Sequence, residues 1–156
     1  MGGLTAAVDL EAGTSASSVR RVRQVMGTMC SIHVHDDVPL RSVNAAIDAV
    51  LAELDRLEAM FSTFRVDSEI SRVNRNELGL LECSPEVIDV IDSCTWLERV
   101  SDGAFDIRPD GPGGRIDPAG FVKGWAAERA AGALVSAGLE HWYVSVGGDV
   151  IVHGSP

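Results

Sequence analysis

The first patterned stretch of the chain lies within residues 21–35, where apolar and polar positions alternate from residue 30 to residue 35. Cys30, Ile32 and Val34 alternate with a serine and two histidines, and this period of two is typical of a strand with one buried face. Two aspartates and a proline follow soon afterwards and end the pattern. The sequence therefore predicts a strand that closes before Asp36.

Two longer stretches repeat their apolar residues at helical spacing. In the first, Ser42 is the candidate N-cap. In the second, Ser84 is the candidate N-cap, Pro85 takes the first helical position, where a missing N–H costs nothing, and Glu86 complements the helix dipole. The predicted buried stripes are Val43, Ile47, Val50, Leu51, Leu54, Leu57 and Phe61 in the first helix, and Val87, Ile91, Cys94 and Leu97 in the second.

A third helix is predicted after Asp117 and Pro118, which repeat the same start signal. Gly138 fits the position just past its C-terminus, where a left-handed backbone favours glycine. Its predicted stripe is Trp125, Ala126, Ala130, Ala133, Leu134 and Ala137.

The remaining segments are expected to be loops and a final hairpin. Residues 61–75 are dense in hydroxyl and charged groups, and residues 101–120 hold too many glycines and prolines for a regular element. Residues 142–146 and 150–152 read as strands joined by a glycine-rich turn at 147–149. The order of elements predicts an α+β fold, with a mixed, mainly antiparallel sheet packed against helices.

The domain organisation follows from the two ends of the chain. Residues 1–20 are rich in alanine, glycine and serine and are expected to form a flexible lead-in, while residues 21–156 form one domain. The sequence stops soon after a predicted strand, which would leave a sheet edge open. We therefore expect an N-terminal portion of a longer protein, with a fold incomplete at the C-terminus.

Charge and composition exclude several classes of partner. The formal net charge is -10, which repels nucleic-acid phosphates and anionic lipids, so neither nucleic acid nor membrane insertion is expected. No apolar run is long enough to span a bilayer, and the first residues lack the basic start of a signal peptide. Cys30, Cys83 and Cys94 show no metal-binding or redox spacing, so reduced thiols packed in a core and a cytoplasmic location are expected.

Five short segments could carry chemistry, although each also has a structural explanation. They are MGT at residues 26–28, FSTF through DSEISRVN at 61–74, GAFD at 103–106, DPAGFVKG at 117–124, and VGGD at 146–149. The fourth places a carboxylate, open amides and a lysine at a helix N-terminus, where anions are favoured. Their structural explanations are an ordinary turn, a capped helix or a core phenylalanine, and for the first two segments the residues alone favour the structural explanation. The four histidines show no spacing typical of metal ligands.

Taken in order, these five segments resemble the ApbE family of FAD:protein FMN transferases, from about residue 23 to the end of the chain. The resemblance implies an enzyme that uses FAD and Mg²⁺. It would transfer the FMN moiety to a threonine or serine hydroxyl of a target flavoprotein and release AMP. The same resemblance leaves open a monomer or a homodimer.

The resemblance also implies roles for individual residues. Asp117 and Lys123 would shape the diphosphate site and are the candidate catalytic residues. Gly120 would supply a metal ligand through its backbone carbonyl. The expected FAD-binding residues are Met26, Phe64, Ala104, Phe105, Asp106, Asp117 and Lys123.

Three departures from the family pattern keep alternatives open. Phe64 stands where the family usually has tyrosine, and Ser145 stands before GGD where asparagine is common. The sequence has no DAxxTA-like segment, which carries the family's main Mg²⁺ ligands. A non-catalytic FAD-binding fragment and an FAD diphosphatase that yields FMN and AMP therefore remain alternatives.

Overall fold

The computed structural model describes residues 18–155. Within them the chain forms two compact units, one made of residues 18–55 and 126–155 and the other of residues 56–125. Residues 1–17 of the expected lead-in lie outside the described part of the chain. The first strand begins at Val19, so the last two residues assigned to that lead-in belong to a strand.

The first unit contains one sheet of four antiparallel strands. In chain order these are β1 (Val19–Val25), β2 (Thr28–Val34), β3 (Trp142–Val146) and β4 (Asp149–His153). They lie side by side in the order β1-β2-β3-β4. Hairpins join β1 to β2 and β3 to β4, and β2 pairs antiparallel with β3. The predicted α+β class, with a mainly antiparallel sheet, is confirmed.

One face of the sheet forms the core of the first unit. Cys30, Ile32 and Val34 are buried on this face, as their alternation predicts, together with Val144 and Val146 of β3. The sequence pattern does not predict β1, because arginines interrupt its apolar alternation.

Those arginines connect β1 to the helix that follows β2. This helix, α1, spans Leu40–Phe61. Arg21 donates hydrogen bonds to the side chains of Asn44 and Asp48, each at 3.1 Å, and Arg23 donates one to the carbonyl oxygen of Leu51 at 3.2 Å. Long arginine side chains can extend along apolar surface to reach polar partners, which explains why β1 tolerates them.

The helix boundaries partly match the predictions. All seven residues predicted for the stripe of α1 are buried. Ser42 is not its N-cap, because α1 begins at Leu40 and the amide of Ser42 donates to the carbonyl oxygen of Pro39. The last helix, α4, spans Ala119–Ser136, and Gly138 follows it with a φ of 75°, as predicted.

Two further helices lie in the second unit. α2 (Glu69–Asn74) forms inside the stretch expected to be a loop with short turns, and α3 (Pro85–Val100) begins at the predicted position. Ser84 occupies the N-cap position of α3 without a side-chain capping bond, and its amide instead donates to a carboxylate oxygen of Glu69 at 2.6 Å. The fully buried residues of α3 are Val87, Val90 and Cys94, whereas the predicted Ile91 and Leu97 are half-buried.

The three cysteines are free and buried, as expected. Burial raises the pKa of the Cys30 and Cys94 thiols to about 11 and also raises that of Cys83. Among the described residues, no helix is long and apolar enough to cross a membrane.

Candidate functional site

A cavity of about 400 Å³ in the second unit brings together two of the five segments singled out in the sequence. Thr63, Phe64, Ser71 and Asn74 line it from the FSTF-to-DSEISRVN segment, and Asp117 lines it from the DPAG segment. This volume lies within the range of small-molecule sites. The other lining residues are Arg75, Pro109, Asp110, Arg115 and Ile116.

The FSTF loop is held by its own hydroxyl groups. The Ser62 hydroxyl oxygen accepts hydrogen bonds from the amides of Phe64 and Arg65, at 3.1 and 3.2 Å. The buried hydroxyls of Ser68 and Ser71 both donate to the carbonyl oxygen of Ser62, and Ser68 caps α2 by accepting from the Ser71 amide. This network makes the loop a self-capped turn, and it leaves the Phe64 side chain 94% exposed beside the cavity.

Asn74 joins the two segments that line the cavity. Its side-chain nitrogen donates to the carbonyl oxygen of Ile116 at 2.9 Å, and its side-chain oxygen accepts from the Ile116 amide at 2.7 Å. Both backbone polar groups of a buried residue are thereby satisfied by one side chain. The position of Asp117, the next residue, depends on this pair of bonds.

Two arginines supply the positive charge of the cavity. Arg75 forms a two-pronged contact with Glu77, at 2.7 Å to each oxygen, and this hydrogen bonding raises the pKa of Arg75 and lowers that of Glu77. Arg115 contacts Asp110 only at 3.4 Å, and its side chain is 78% exposed. Arg115 is therefore the more available of the two cations for an anionic ligand.

The N-terminus of α4 is partly satisfied by the protein itself. The Asp117 carboxylate accepts from the Ala119 amide at 3.0 Å, and the Asp117 amide donates to the Ile107 carbonyl oxygen at 2.8 Å. Lys123 is half-buried on α4 and does not line the cavity. Its ammonium group forms no hydrogen bond or ion pair with any residue between 18 and 155.

The GAFD segment packs against the same helix start. An added Cβ at Gly120 would lie 3.2 Å from Cε2 of Phe105, so any larger residue at this position would need a small shift of the ring. Asp106 accepts from the Arg108 amide at 2.7 Å, which forms a local turn, and Ala104 is exposed. None of Ala104, Phe105 and Asp106 lines the cavity.

The MGT and VGGD segments meet each other in the first unit. The Gly147 amide donates to the Met29 carbonyl oxygen at 3.1 Å, and an added Cβ at Gly147 would lie 3.1 Å from the Thr28 methyl group. Met26 is half-buried in the turn between β1 and β2 and has a φ of 50°, a left-handed conformation that is unusual for methionine.

The described residues do not form a magnesium site by themselves. Between positions 18 and 155, no three His, Cys, Asp or Glu side chains are grouped so that they could hold a metal ion. The carbonyl of Gly120 would then be a single oxygen ligand, whereas Mg²⁺ takes near-octahedral oxygen coordination. The donor set present does not fit this ion.

Comparison with known proteins assigns the family. The sequence matches the family model described as the ApbE family over residues 26–110 and 107–156, which together make up most of the chain. The chain belongs to the ApbE family. The match includes all five segments, two of them in the first unit and three in the second. No curated protein matches the chain.

Solved ApbE structures share its fold. The flavin transferase ApbE from Vibrio cholerae has a TM-score of 0.76 and 21% identity, over 90% of this chain and 60% of that one. The ApbE protein from Thermotoga maritima has a TM-score of 0.75 and 20% identity, over 87% and 59%. The apo flavinyl transferase ApbE from Pseudomonas stutzeri has a TM-score of 0.72 and 19% identity, over 92% and 63%. The chain thus spans about three fifths of the length of these structures.

The ApbE resemblance in the sequence does not indicate the two cavity arginines. Arg75 directly follows DSEISRVN, and Arg115 lies just before DPAG. The one sequence feature that could have indicated them is a basic residue at the border of each motif. A single arginine among exposed polar residues is, however, most often solvated. Only the folded chain places Arg75 and Arg115 on one cavity.

Proposed function

We propose that this ApbE chain serves the transfer of the FMN moiety of FAD to a threonine or serine hydroxyl of a target flavoprotein, with release of AMP. The observation that carries the proposal is the ordered set of family motifs, two of which line one cavity. Solved proteins that are named flavin transferases share its fold, which supports the proposal.

Phe64 is the proposed flavin platform. Its ring is almost fully exposed beside a cavity of ligand size. Its backbone is held by a loop whose polar groups hydrogen-bond to one another. Stacking on such a ring favours a planar aromatic ligand. A phenylalanine retains the stacking that the family's usual tyrosine offers and lacks the phenolic hydrogen bond.

The cationic residues are proposed to bind the diphosphate of FAD. Arg115 is weakly paired and exposed at the cavity, and guanidinium groups suit phosphate oxygens. Lys123, half-buried without a protein partner among residues 18–155, is the second candidate. Asp117 acts as a positioning residue, because its carboxylate is bonded to the Ala119 amide at the start of α4.

The proposed reaction is a displacement at phosphorus. The acceptor hydroxyl oxygen forms a bond to the phosphorus of the FMN half of FAD, and the bond from that phosphorus to the bridging oxygen breaks. AMP leaves with the bridging oxygen, and the hydroxyl proton passes to solvent. Positive side chains at the diphosphate would stabilise the charge that develops on the oxygens.

Magnesium belongs to the proposal through the family resemblance alone. The described residues do not offer a ligand set for it.

The test is incubation of the purified chain with FAD, MgCl₂ and a target flavoprotein, followed by mass spectrometry and in-gel flavin fluorescence. The expected result is FMN bound covalently to the acceptor together with free AMP, and no product on an acceptor whose threonine is replaced by alanine. Free FMN plus AMP without a covalent adduct would indicate a diphosphatase instead. FAD left intact would contradict transfer by this chain.

A non-catalytic FAD binder is the second candidate function, favoured by the missing metal ligand set between positions 18 and 155. It predicts quenching of flavin fluorescence on mixing FAD with the chain, without formation of AMP. AMP formation at many turnovers per chain would eliminate it.

A further inference from the structure

Trp96 is a large aromatic side chain exposed on the outer face of α3. It is 55% exposed, whereas Trp142 is almost fully buried and Trp125 is half-buried against Phe61. A tryptophan left this exposed on a helix is more typical of a contact surface than of a core.

Two open clefts adjoin at Trp96, and we call them together the Trp96 groove. One has a volume of about 390 Å³ and a mainly apolar lining that includes Trp96, Leu97 and Phe121. The other has a volume of about 630 Å³ and extends towards Asp102 at the C-terminal end of α3. Both clefts share Trp96 and Asp92. The groove therefore combines an apolar floor with a polar end.

The charged residues that line the groove form no ion pair within the part of the chain that the structure describes. Asp92, Glu98 and Asp102 line it, with Arg99 as the single opposing charge. None of these four side chains forms an ion pair with another residue in the described range 18–155. Glu86, at the start of the same helix, is by contrast bound by Arg56 at 2.8 Å. The groove thus carries an uncompensated negative charge around an apolar centre.

We propose that the Trp96 groove docks a segment of a partner protein in which an apolar side chain is flanked by lysine or arginine. The apolar side chain would pack on Trp96, Leu97 and Phe121, and the basic neighbours would pair with Asp92, Glu98 and Asp102. The docking surface goes beyond the proposed flavin transfer and does not depend on it. The lining residues of this groove and of the Phe64 cavity do not overlap.

The charge of the groove selects this occupant over others. Nucleic acid and anionic membranes would bring like charge to the three carboxylates. A second copy of this chain has a net charge of -10, so it too would bring like charge to the carboxylates unless it presented a basic patch. An aromatic anchor with a complementary charged rim is the common pattern of protein–peptide contacts.

The probe is a library of random peptides displayed on phage, selected on the wild-type chain and counter-selected on Trp96→Ala. The enriched peptide is then synthesised with a fluorescent label, and its binding is measured by anisotropy. Trp96→Ala and the double variant Asp92→Asn with Glu98→Gln test the groove. Val100→Ala and Asp89→Asn are the matched controls, since both residues are exposed on α3 outside the groove.

The expected consensus has a leucine, phenylalanine or similar residue beside lysine or arginine. Truncating a central tryptophan anchor is expected to weaken binding about tenfold or more. The double charge variant should weaken binding and flatten its salt dependence, while the two controls bind as wild type. Enrichment of acidic peptides, absence of a consensus, or equal binding to Trp96→Ala would overturn the proposal. Sedimentation that shows a dimer lost in Trp96→Ala would also overturn it, because the occupant would then be a second copy.

Discussion

Asn74 and Ile116, 42 positions apart in the sequence, are joined by two hydrogen bonds between one side-chain amide and one backbone. The bonds run in both directions, at 2.9 and 2.7 Å, as they would between two strands. They link α2 with the loop that leads into α4, and both segments line the cavity. The shape of the candidate site therefore rests on this pair.

Replacing Asn74 by alanine should destabilise the fold. Ile116 is buried, so its amide and carbonyl would lose their partners without gaining water, at a cost of about 1–3 kcal/mol. Urea denaturation measures the change. Gln24→Ala, which removes a similar amide from an exposed strand position, is the control and should stay within about 0.5 kcal/mol of wild type. Equal effects of the two variants would show that the Asn74 bonds do not stabilise the chain.

Gly120 and Phe105 should be energetically coupled. Gly120→Ala gains helix propensity but places a methyl group 3.2 Å from the Phe105 ring. Because Gly120 is the second residue of α4, we expect the low end of the glycine-to-alanine range: Gly120→Ala should add about 0.5 kcal/mol of stability relative to the Phe105→Ala single variant. In the wild-type background it should add less or should destabilise. A double-mutant cycle by urea denaturation measures this coupling. Additive effects would contradict the close contact.

Met26 should be replaceable by asparagine with a gain in stability. Met26 and Gly27 have φ values of 50° and 71°, and Val25 pairs with Thr28, which makes this a two-residue hairpin turn that favours Asn-Gly. Because asparagine adopts the left-handed conformation more readily than methionine, the substitution should raise the free energy of unfolding by about 1 kcal/mol. The melting temperature measures it, with Met29→Asn on the neighbouring strand as a control that should not stabilise.

The three cysteines should be unreactive in the folded chain. Burial raises the pKa of Cys30 and Cys94 to about 11, so at neutral pH their reactive thiolates are scarce as well as inaccessible. Labelling with a thiol reagent at pH 8 should be slow without denaturant, and all three thiols should react in urea. Fast labelling of one thiol in the native chain would contradict the burial of that residue.

Much of the fold could be predicted because its signals are local. The stripe of α1 and the alternation of β2 follow from spacing alone, and all of these residues are buried. β1 could not be predicted from its pattern, because Arg21 and Arg23 occupy positions where a strand with a buried face has apolar residues. Their hydrogen-bond partners on α1 are distant in sequence. α2 was not predicted because its N-cap, Ser68, is one of several serines in a segment whose composition is also typical of a loop.

The candidate site was predictable only in part. The motifs indicated Phe64 and Asp117, which do share a cavity, whereas GAFD packs on α4 and Lys123 lies outside that cavity. Asn74 bonds to Ile116 across 42 positions, whereas Arg75 and Arg115 pair with nearby carboxylates and share only the cavity that they line. No spacing rule describes either arrangement. Sequence patterns report which residues are present in a motif, but the pairing of loops is decided by packing.

The most direct test of the central claim, that the Phe64 cavity binds the flavin nucleotide, is the affinity of the chain for FAD by flavin fluorescence quenching. Phe64→Ala should weaken binding about tenfold or more, because the stacking surface is lost, while Phe64→Tyr should retain it. Arg115→Gln should also weaken binding, and Leu81→Ala, a similarly exposed residue away from the cavity, should not. Wild-type affinity in both Phe64→Ala and Arg115→Gln would contradict the account.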